Sequence, residues 1–397
     1  MELLKYSIRL LSCEQYRNDK LINGLLGIFS EDYGTALDSY SEVCRTLFAE
    51  NRTISDYMFL LAVSGNNPVM RGYLKNRSNT LFAALKNDLS ILSAVSLLHS
   101  SEIIGYLRKK FMLDEKIAFP EFDTGDTVVS TESVIAFSER FGNALFAYNK
   151  AFIFDNGVLS PSFNYDEIQL SELKNYNSQR RKLIDNTICF INGAKAQNAL
   201  LYGDRGTGKS STVKAIVNEY AELRIIQISK SSICDIYKVY DIVKDNPLKF
   251  VLFIDDITFS ENDAGYSFLK QVLEGSVMSM PENCVIYATT NRRHIIKETE
   301  SERTGDEMHA ADARDENMSL ADRFGLYITF ISPGKNEYLD IARQIAADRK
   351  LNISEEKFNQ LAERFALKKC GRSPRTAKQF VDMLEARLKL GLEPDNI

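Results

Sequence analysis

Gly203-Asp204-Arg205-Gly206-Thr207-Gly208-Lys209-Ser210 fits the pattern G-x-x-x-x-G-K-[ST]. An apolar run, Asn198-Ala199-Leu200-Leu201-Tyr202, stands directly before it, and a helix-like segment starts near Lys209. Strand, glycine-rich turn and helix in that order make a phosphate-binding loop. The glycines let successive backbone N–H groups curl round a polyphosphate, and the helix N-terminus adds the positive end of its dipole. The expected nucleotide-binding residues are Gly203, Asp204, Arg205, Gly206, Thr207, Gly208, Lys209, Ser210 and the following Ser211. Lys209 reaches the β- and γ-phosphates and Ser210 ligates Mg²⁺, so the chain is expected to bind a nucleoside triphosphate.

Downstream, short apolar runs alternate with helical stretches at Leu223–Ile228, Phe250–Ile254, Val285–Ala288 and Leu326–Ile331. Together with Asn198–Tyr202 they predict an α/β fold, a five-stranded parallel sheet covered by helices on both faces. Phe250-Val251-Leu252-Phe253-Ile254 ends in Asp255-Asp256, two acids at the carboxyl edge of the sheet, where ligands of open α/β sheets bind. This looks like a Walker B element, in which Asp255 holds Mg²⁺, directly or through water, and Asp256 orients or deprotonates the attacking water. Val285-Ile286-Tyr287-Ala288 runs into Thr289-Thr290-Asn291, so Asn291 is placed to hydrogen-bond that water or the γ-phosphate; the plain alternative is a strand-end turn asparagine.

Two arginines complete the set. Arg323, in Ser319-Leu320-Ala321-Asp322-Arg323-Phe324-Gly325, stands before the fifth strand, where its planar multi-donor head could reach a neighbouring subunit's γ-phosphate. Its plain alternative is a local pair with Asp322 or Glu316. Gly371-Arg372-Ser373-Pro374-Arg375-Thr376 opens a helix with Pro374 in its first turn. Arg375 is expected to touch the γ-phosphate in cis from a helical lid, coupling nucleotide state to lid angle, with Arg372 as the alternative.

At 397 residues the chain exceeds what one hydrophobic core usually serves. Apolar periodicity of three and four residues predicts an all-α N-terminal domain over 1–113, as in Leu85, Leu89, Leu92, Val95 and Leu98. Pro120, Asp123, Gly125 and Asp126 then mark a linker and connecting helix over 114–164, followed by the α/β domain over 165–333 and a C-terminal helical lid over 334–397. Lys297 to Asn317 is charged and poor in apolar residues, which reads as a loop or exposed helix. A net charge of −5 gives no general attraction for nucleic acid or an anionic membrane surface. Six scattered cysteines form no C-x-x-C pair and three histidines complete no zinc-ligand spacing. His99 lies beside Val95 without a placed partner and reads as a rim histidine. Glu2, Lys5 and Arg9 interrupt any signal-like apolar stretch, so the expected location is cytoplasmic, with no membrane partner.

The ordered set of phosphate loop, Asp-Asp strand, strand-end Asn, Asp-Arg-Phe-Gly and Ser-Pro-Arg resembles the AAA+ ATPases over about residues 165 to 390. Leu201 to Ser211, Leu273-Glu274-Gly275, Asn291-Arg292-Arg293-His294 and Ser319 to Gly325 are similar to an uncharacterised bacterial AAA+ family known only as ATP-binding proteins. The resemblance implies the AAA+ sheet order, ATP with Mg²⁺, and homo-oligomeric rings or filaments with sites at subunit interfaces. It implies a nucleotide-dependent switch or remodeller, an ATPase whose unknown client binds through the N-terminal helices. Most such motors carry Asp-Glu where Asp255-Asp256 stands, and the shorter Asp256 points to slow hydrolysis. A helicase-loader-like, nucleic-acid-associated adaptor is one alternative, with Arg292-Arg293-His294 as its contact; a nucleotide-gated scaffold with little turnover is another. With no initiator's helix-turn-helix read after the lid and no unfoldase pore loop in Ser229 to Asp241, neither an initiator nor an unfoldase is expected.

Overall fold

The computed structural model describes residues 1–65, 67–258, 264–274, 279–291, 323–369 and 371–394. The readings that rest on Gly275, on Arg292-Arg293-His294, on 297–317 and on Ser319 to Asp322 lie outside the described residues. The chain forms two compact units, Met1–Tyr148 and Asn149–Ile397. No single helix among the described residues is long and apolar enough to cross a membrane.

Among the described residues, the first unit is built from ten helices, the longest being Tyr33–Glu50 and Asn79–Ser96. Polar side chains start them: Asp19 accepts from the backbone N–H of Leu21 and Ile22, and Asp32 from that of Thr35, as N-caps do. Leu85, Leu89, Leu92 and Val95 are buried in one core with Leu47, Ile103 and Leu107. Buried polar groups are paired there, as burial requires: Asp88 accepts from Ser12 and Cys13. His99 precedes the helix Ser100–Phe111 and meets Thr124 through Nδ1. Residues 114–148, read from sequence as linker and connecting helix, pack into this same unit. Ile54 N–H donates to the Asp123 carbonyl and Ser55 N–H to that of Thr124, and Phe122, Val129 and Val134 join the core.

In the second unit the five expected strands are present and parallel, and two more extend the sheet. We number them β1 (Ala151–Asp155), β2 (Val158–Pro161), β3 (Ala199–Gly203), β4 (Leu223–Ile228), β5 (Lys249–Ile254), β6 (Cys284–Thr290) and β7 (Leu326–Phe330). Their order is β2-β1-β4-β5-β6-β3-β7. The sheet therefore has seven strands, not five. The additional pair is an antiparallel hairpin turning at Asn156 and Gly157, both with positive φ, the signature of a tight hairpin turn. It buries Phe152 and Phe154 and lays β1 parallel to β4, covering an edge that β4 would otherwise leave open.

Alternation along the strands sends Leu201, Val251, Phe253 and Tyr287 into a layer with Leu183, Val213 and Ile216 of the helices Asn177–Ile191 and Lys209–Glu219. Leu200, Leu252 and Ile286, on the opposite face, are also fully buried, as in a sheet covered on both sides. After β7 the helices Lys335–Asp348, Glu355–Lys368 and Pro374–Lys389 form the lid round Tyr338, Phe358, Phe365 and Phe380.

Candidate functional site

The register of the sheet decides what meets at its carboxyl edge. Tyr202 of β3 pairs with Thr290 of β6, and Ile254 of β5 with Ala288, so the loop after β3, the acids after β5 and the polar end of β6 emerge side by side. They face a cavity of about 1040 Å³ roofed by the lid. Arg205 to Ser211 line it together with Asp255, Asp256, Asn291 and Arg375.

Gly203 and Asp204 anchor the loop instead. A Cβ on Gly203 would lie 1.9 Å from the Phe330 carbonyl oxygen, so only glycine lets β3 leave the sheet this close to β7. Asp204 donates its N–H to Phe330 and accepts from Ser332 N–H at 2.7 Å. Gly206, at φ +75°, has Ser373 and the Arg375 Cβ where its own Cβ would be, and its carbonyl accepts from Arg375 N–H. The helix Pro374–Lys389 thus rests on the glycine-rich loop itself.

Lys209 is 5 % exposed. Its Nζ donates to the carbonyls of Gly203 and Asp204 and to Asn291 Oδ1, at 3.0, 2.8 and 2.9 Å. Burial pulls its pKa below the usual lysine value, against the pull of Asp256, Asp204 and Asp255, so a polyanion beside it would complete a cation the protein has only partly compensated.

Ser210 Oγ donates to Asp255 Oδ1 at 2.6 Å, and Asn291 Nδ2 donates to Asp256 Oδ1 at 2.6 Å. Asp256 itself is left-handed, at φ 51°. Between the acids stands Thr289, a residue to which the sequence reading gave no role. Its hydroxyl donates to Asp255 Oδ1 at 2.6 Å and accepts the Asp256 N–H at 2.9 Å, so one side chain holds the Asp255 carboxylate and the Asp256 backbone. Ser210 and Asp255 offer only oxygen donors, which suit a hard cation such as Mg²⁺, and the cavity has the size of a nucleotide site.

The two lid arginines separate cleanly. Arg372 is held by Glu363 through two hydrogen bonds of 3.0 Å, whereas Arg375 lines the cavity and its side chain has no partner among the described residues. Arg323 is not among the residues lining the cavity; within this chain it pairs with Glu274.

Sequence reading also missed the far end of the cavity. It is walled by Ile168 and Leu173 below and by Ile341 and Ile345 of the lid, and Lys174 ties it to the lid through Asp348 at 2.7 Å. Only folding brings 166–174 and 341–349 together.

Among solved structures, the Thermotoga maritima RuvB Holliday junction branch migration motor is 17% identical, with 58% of this chain and 68% of that chain covered and a TM-score of 0.40. A point variant of the same RuvB is 17% identical, with 59% and 71% covered and a TM-score of 0.41. Similarity at this level says nothing about what this chain acts on. No curated protein sequence matches the chain. A family profile described as "Protein of unknown function (DUF815)" matches residues 143–388, more than half of the chain, and the protein belongs to that family.

Proposed function

We propose that this protein binds and hydrolyses ATP as a nucleotide-dependent switch or remodeller, with each site completed by Arg323 of a neighbouring copy. The reading rests on one observation above the others. Lys209, Ser210, Asp255, Asp256 and Asn291, from three separate strand ends, converge on one cavity and are already hydrogen-bonded to one another.

Each residue then has a chemical task. Loop N–H groups from 205 to 211 and Lys209 bind the polyphosphate. Mg²⁺, held by Ser210 and Asp255, would neutralise charge on the phosphate oxygens. Asn291 shares its amide between Lys209 and Asp256, so it links the cation at the γ-phosphate to the acid that orients water. Arg375 donates from the lid, whose contact with Gly206 carries nucleotide state into lid position. Arg323 must leave Glu274 to act across an interface, so assembly and turnover are coupled. The helical unit Met1–Tyr148 is the part we assign to client binding.

The test is steady-state ATP hydrolysis and equilibrium ATP binding by the full chain and by Lys209→Ala. The proposal requires Mg²⁺-dependent hydrolysis that the variant loses; equal behaviour of the two proteins would remove it.

Asp256 supports a second reading, a nucleotide-gated scaffold with slow turnover. Its carboxylate is one methylene shorter than glutamate, its backbone is left-handed and one oxygen is taken by Asn291. Asp256→Glu is then expected to raise kcat, and an unchanged kcat would count against this residue as the limit on turnover.

A further inference from the structure

At the edge of the sheet where the parallel strands begin, opposite Lys209 and Asp255, two cations stand side by side. Ala151 of β1 pairs with Ile225 of β4, and Ile225 N–H donates to the Lys150 carbonyl. One residue back on each strand stand Lys150 and Arg224, so their side chains leave the same face of the sheet one strand spacing, about 5 Å, apart. Both heads reach the turn 220–223. Lys150 Nζ donates to the Tyr220 carbonyl, and Arg224 Nη1 donates to those of Ala221 and Leu223, each at 2.8 Å. Arg224 is 4 % exposed and Lys150 is half-buried. Lys249, the next cation along this edge, pairs in register with Leu223 and lies over the Phe190 ring, on the other face.

Among the described residues Lys150 forms no ion pair, and the one acceptor of its Nζ is an uncharged carbonyl. Burial first, and then the neighbouring Arg224 charge, push its pKa down to about 8, against the weaker opposing pull of Glu222. An ordinary lysine, at about 10.4, is about one part in a thousand uncharged at about pH 7.4; at about 8 the share is about one fifth. An uncharged Nζ that donates one N–H to Tyr220 keeps its lone pair free, and a desolvated lysine beside another cation is the activated form of this nucleophile.

We propose that Lys150 is a reversible modification site that takes carbon dioxide, forming a carbamate for which the Arg224 guanidinium is the counter-charge. The Nζ lone pair forms an N–C bond to the carbon of CO₂, one C=O π pair moves onto oxygen, and one N–H proton leaves to water. A neutral amine and CO₂ thus become a carbamate of charge −1 and a proton, with nothing oxidised or reduced. The step replaces two adjacent cations by an anion beside a guanidinium, the pairing that charge-assisted hydrogen bonds favour. An acyl donor would leave a neutral amide and must expel a leaving group inside a half-buried site. CO₂ is small, expels nothing and yields the anion. The site is independent of the nucleotide reading, because neither Lys150 nor Arg224 lines the cavity at the opposite edge.

The test is to equilibrate the full chain with isotopically labelled bicarbonate and CO₂, trap carbamates by ethylation with a trialkyloxonium salt, and map them by peptide mass spectrometry. Trapping on the α-amino group shows that the reagent works. Lys150 should carry the labelled group at an occupancy at least about tenfold above that of the exposed lysines of the same chain, as its larger uncharged share requires. Lys150→Arg should remove that adduct. Arg224→Met should lower Lys150 occupancy about tenfold, and Arg224→Lys, which keeps the charge, should retain most of it. Circular dichroism shows whether each variant is folded. Lys150 occupancy no higher than that of exposed lysines in the wild-type chain overturns the proposal, and this comparison decides even if Arg224→Met does not fold. A folded Arg224→Met with unchanged Lys150 occupancy overturns it as well, because the guanidinium then plays no part.

Discussion

Thr289→Val is the substitution that most sharply separates binding from turnover. Thr289 is 2 % exposed, and valine keeps its shape while deleting the hydroxyl that bridges Asp255 and the Asp256 N–H. Losing a hydrogen bond to a charged group costs about 1.5–3 kcal/mol, and an orphaned buried N–H about 1–3 kcal/mol more. Asp255 and Asp256 face the open cavity and regain some of this from water, so a loss of about 2–3 kcal/mol in unfolding free energy is expected. The catalytic effect should be larger, because misplacement by about 1 Å can cost a hundredfold in rate. Denaturant unfolding and steady-state ATPase assays read the two effects separately. We expect kcat to fall about ten- to a hundredfold with ATP affinity nearly unchanged, since Lys209 and the loop are untouched. Thr289→Ser, which keeps the hydroxyl, should restore both quantities. A Thr289→Val protein with wild-type stability and kcat would refute the bridging role.

Two further predictions concern the lid. The Arg372 hydrogen bonds hold the Glu363 carboxyl below the usual carboxylate range against its partial burial. Its stabilising contribution is therefore present above the unfolded-state pKa of about 4.3 and lost as pH falls through the lower folded value. Glu363→Gln should lower the melting temperature at pH 7, and the gap to wild type should close near pH 3; a gap independent of pH contradicts the ion pair. Arg375→Ala should weaken ATP binding by about tenfold, the worth of one charge-assisted hydrogen bond, while Arg372→Ala lowers lid stability and leaves affinity near wild type. Titrations of the two variants with a fluorescent ATP analogue decide it, and the reverse ranking would exchange their roles.

What could be read along the chain follows from how local each feature is. The strand, glycine-rich turn and helix around 203–210 are legible because they are contiguous, and the places of Asp255 and Asn291 because strand ends announce themselves by a switch from apolar to polar residues. Thr289 gained its role only from the pairing of Ile254 with Ala288, which sets it beside an acid 34 residues away. The hairpin β1–β2 carried its Asn156-Gly157 signal in the sequence, but four residues of β2 ending in Pro161 make a short, interrupted strand. The pairing of Arg323 with Glu274, 49 residues apart, likewise depends on where a helix ends against the start of β7. The local partners read for Arg323, Asp322 and Glu316, lie outside the described residues, and Glu274 is a partner the sequence reading did not name.

The central claim, an ATP site shared between copies, is tested most directly by mixing two inactive proteins. Lys209→Ala keeps the arginine and lacks the loop lysine; Arg323→Ala keeps the loop and lacks the arginine. ATP hydrolysis is measured for each alone and for equimolar mixtures, at concentrations where light scattering shows assembly. The account predicts that each variant alone is nearly inert and that the mixture regains activity, because some interfaces join an intact loop to an intact Arg323. A mixture no more active than the sum of its parts, or an Arg323→Ala protein with wild-type hydrolysis, would contradict it.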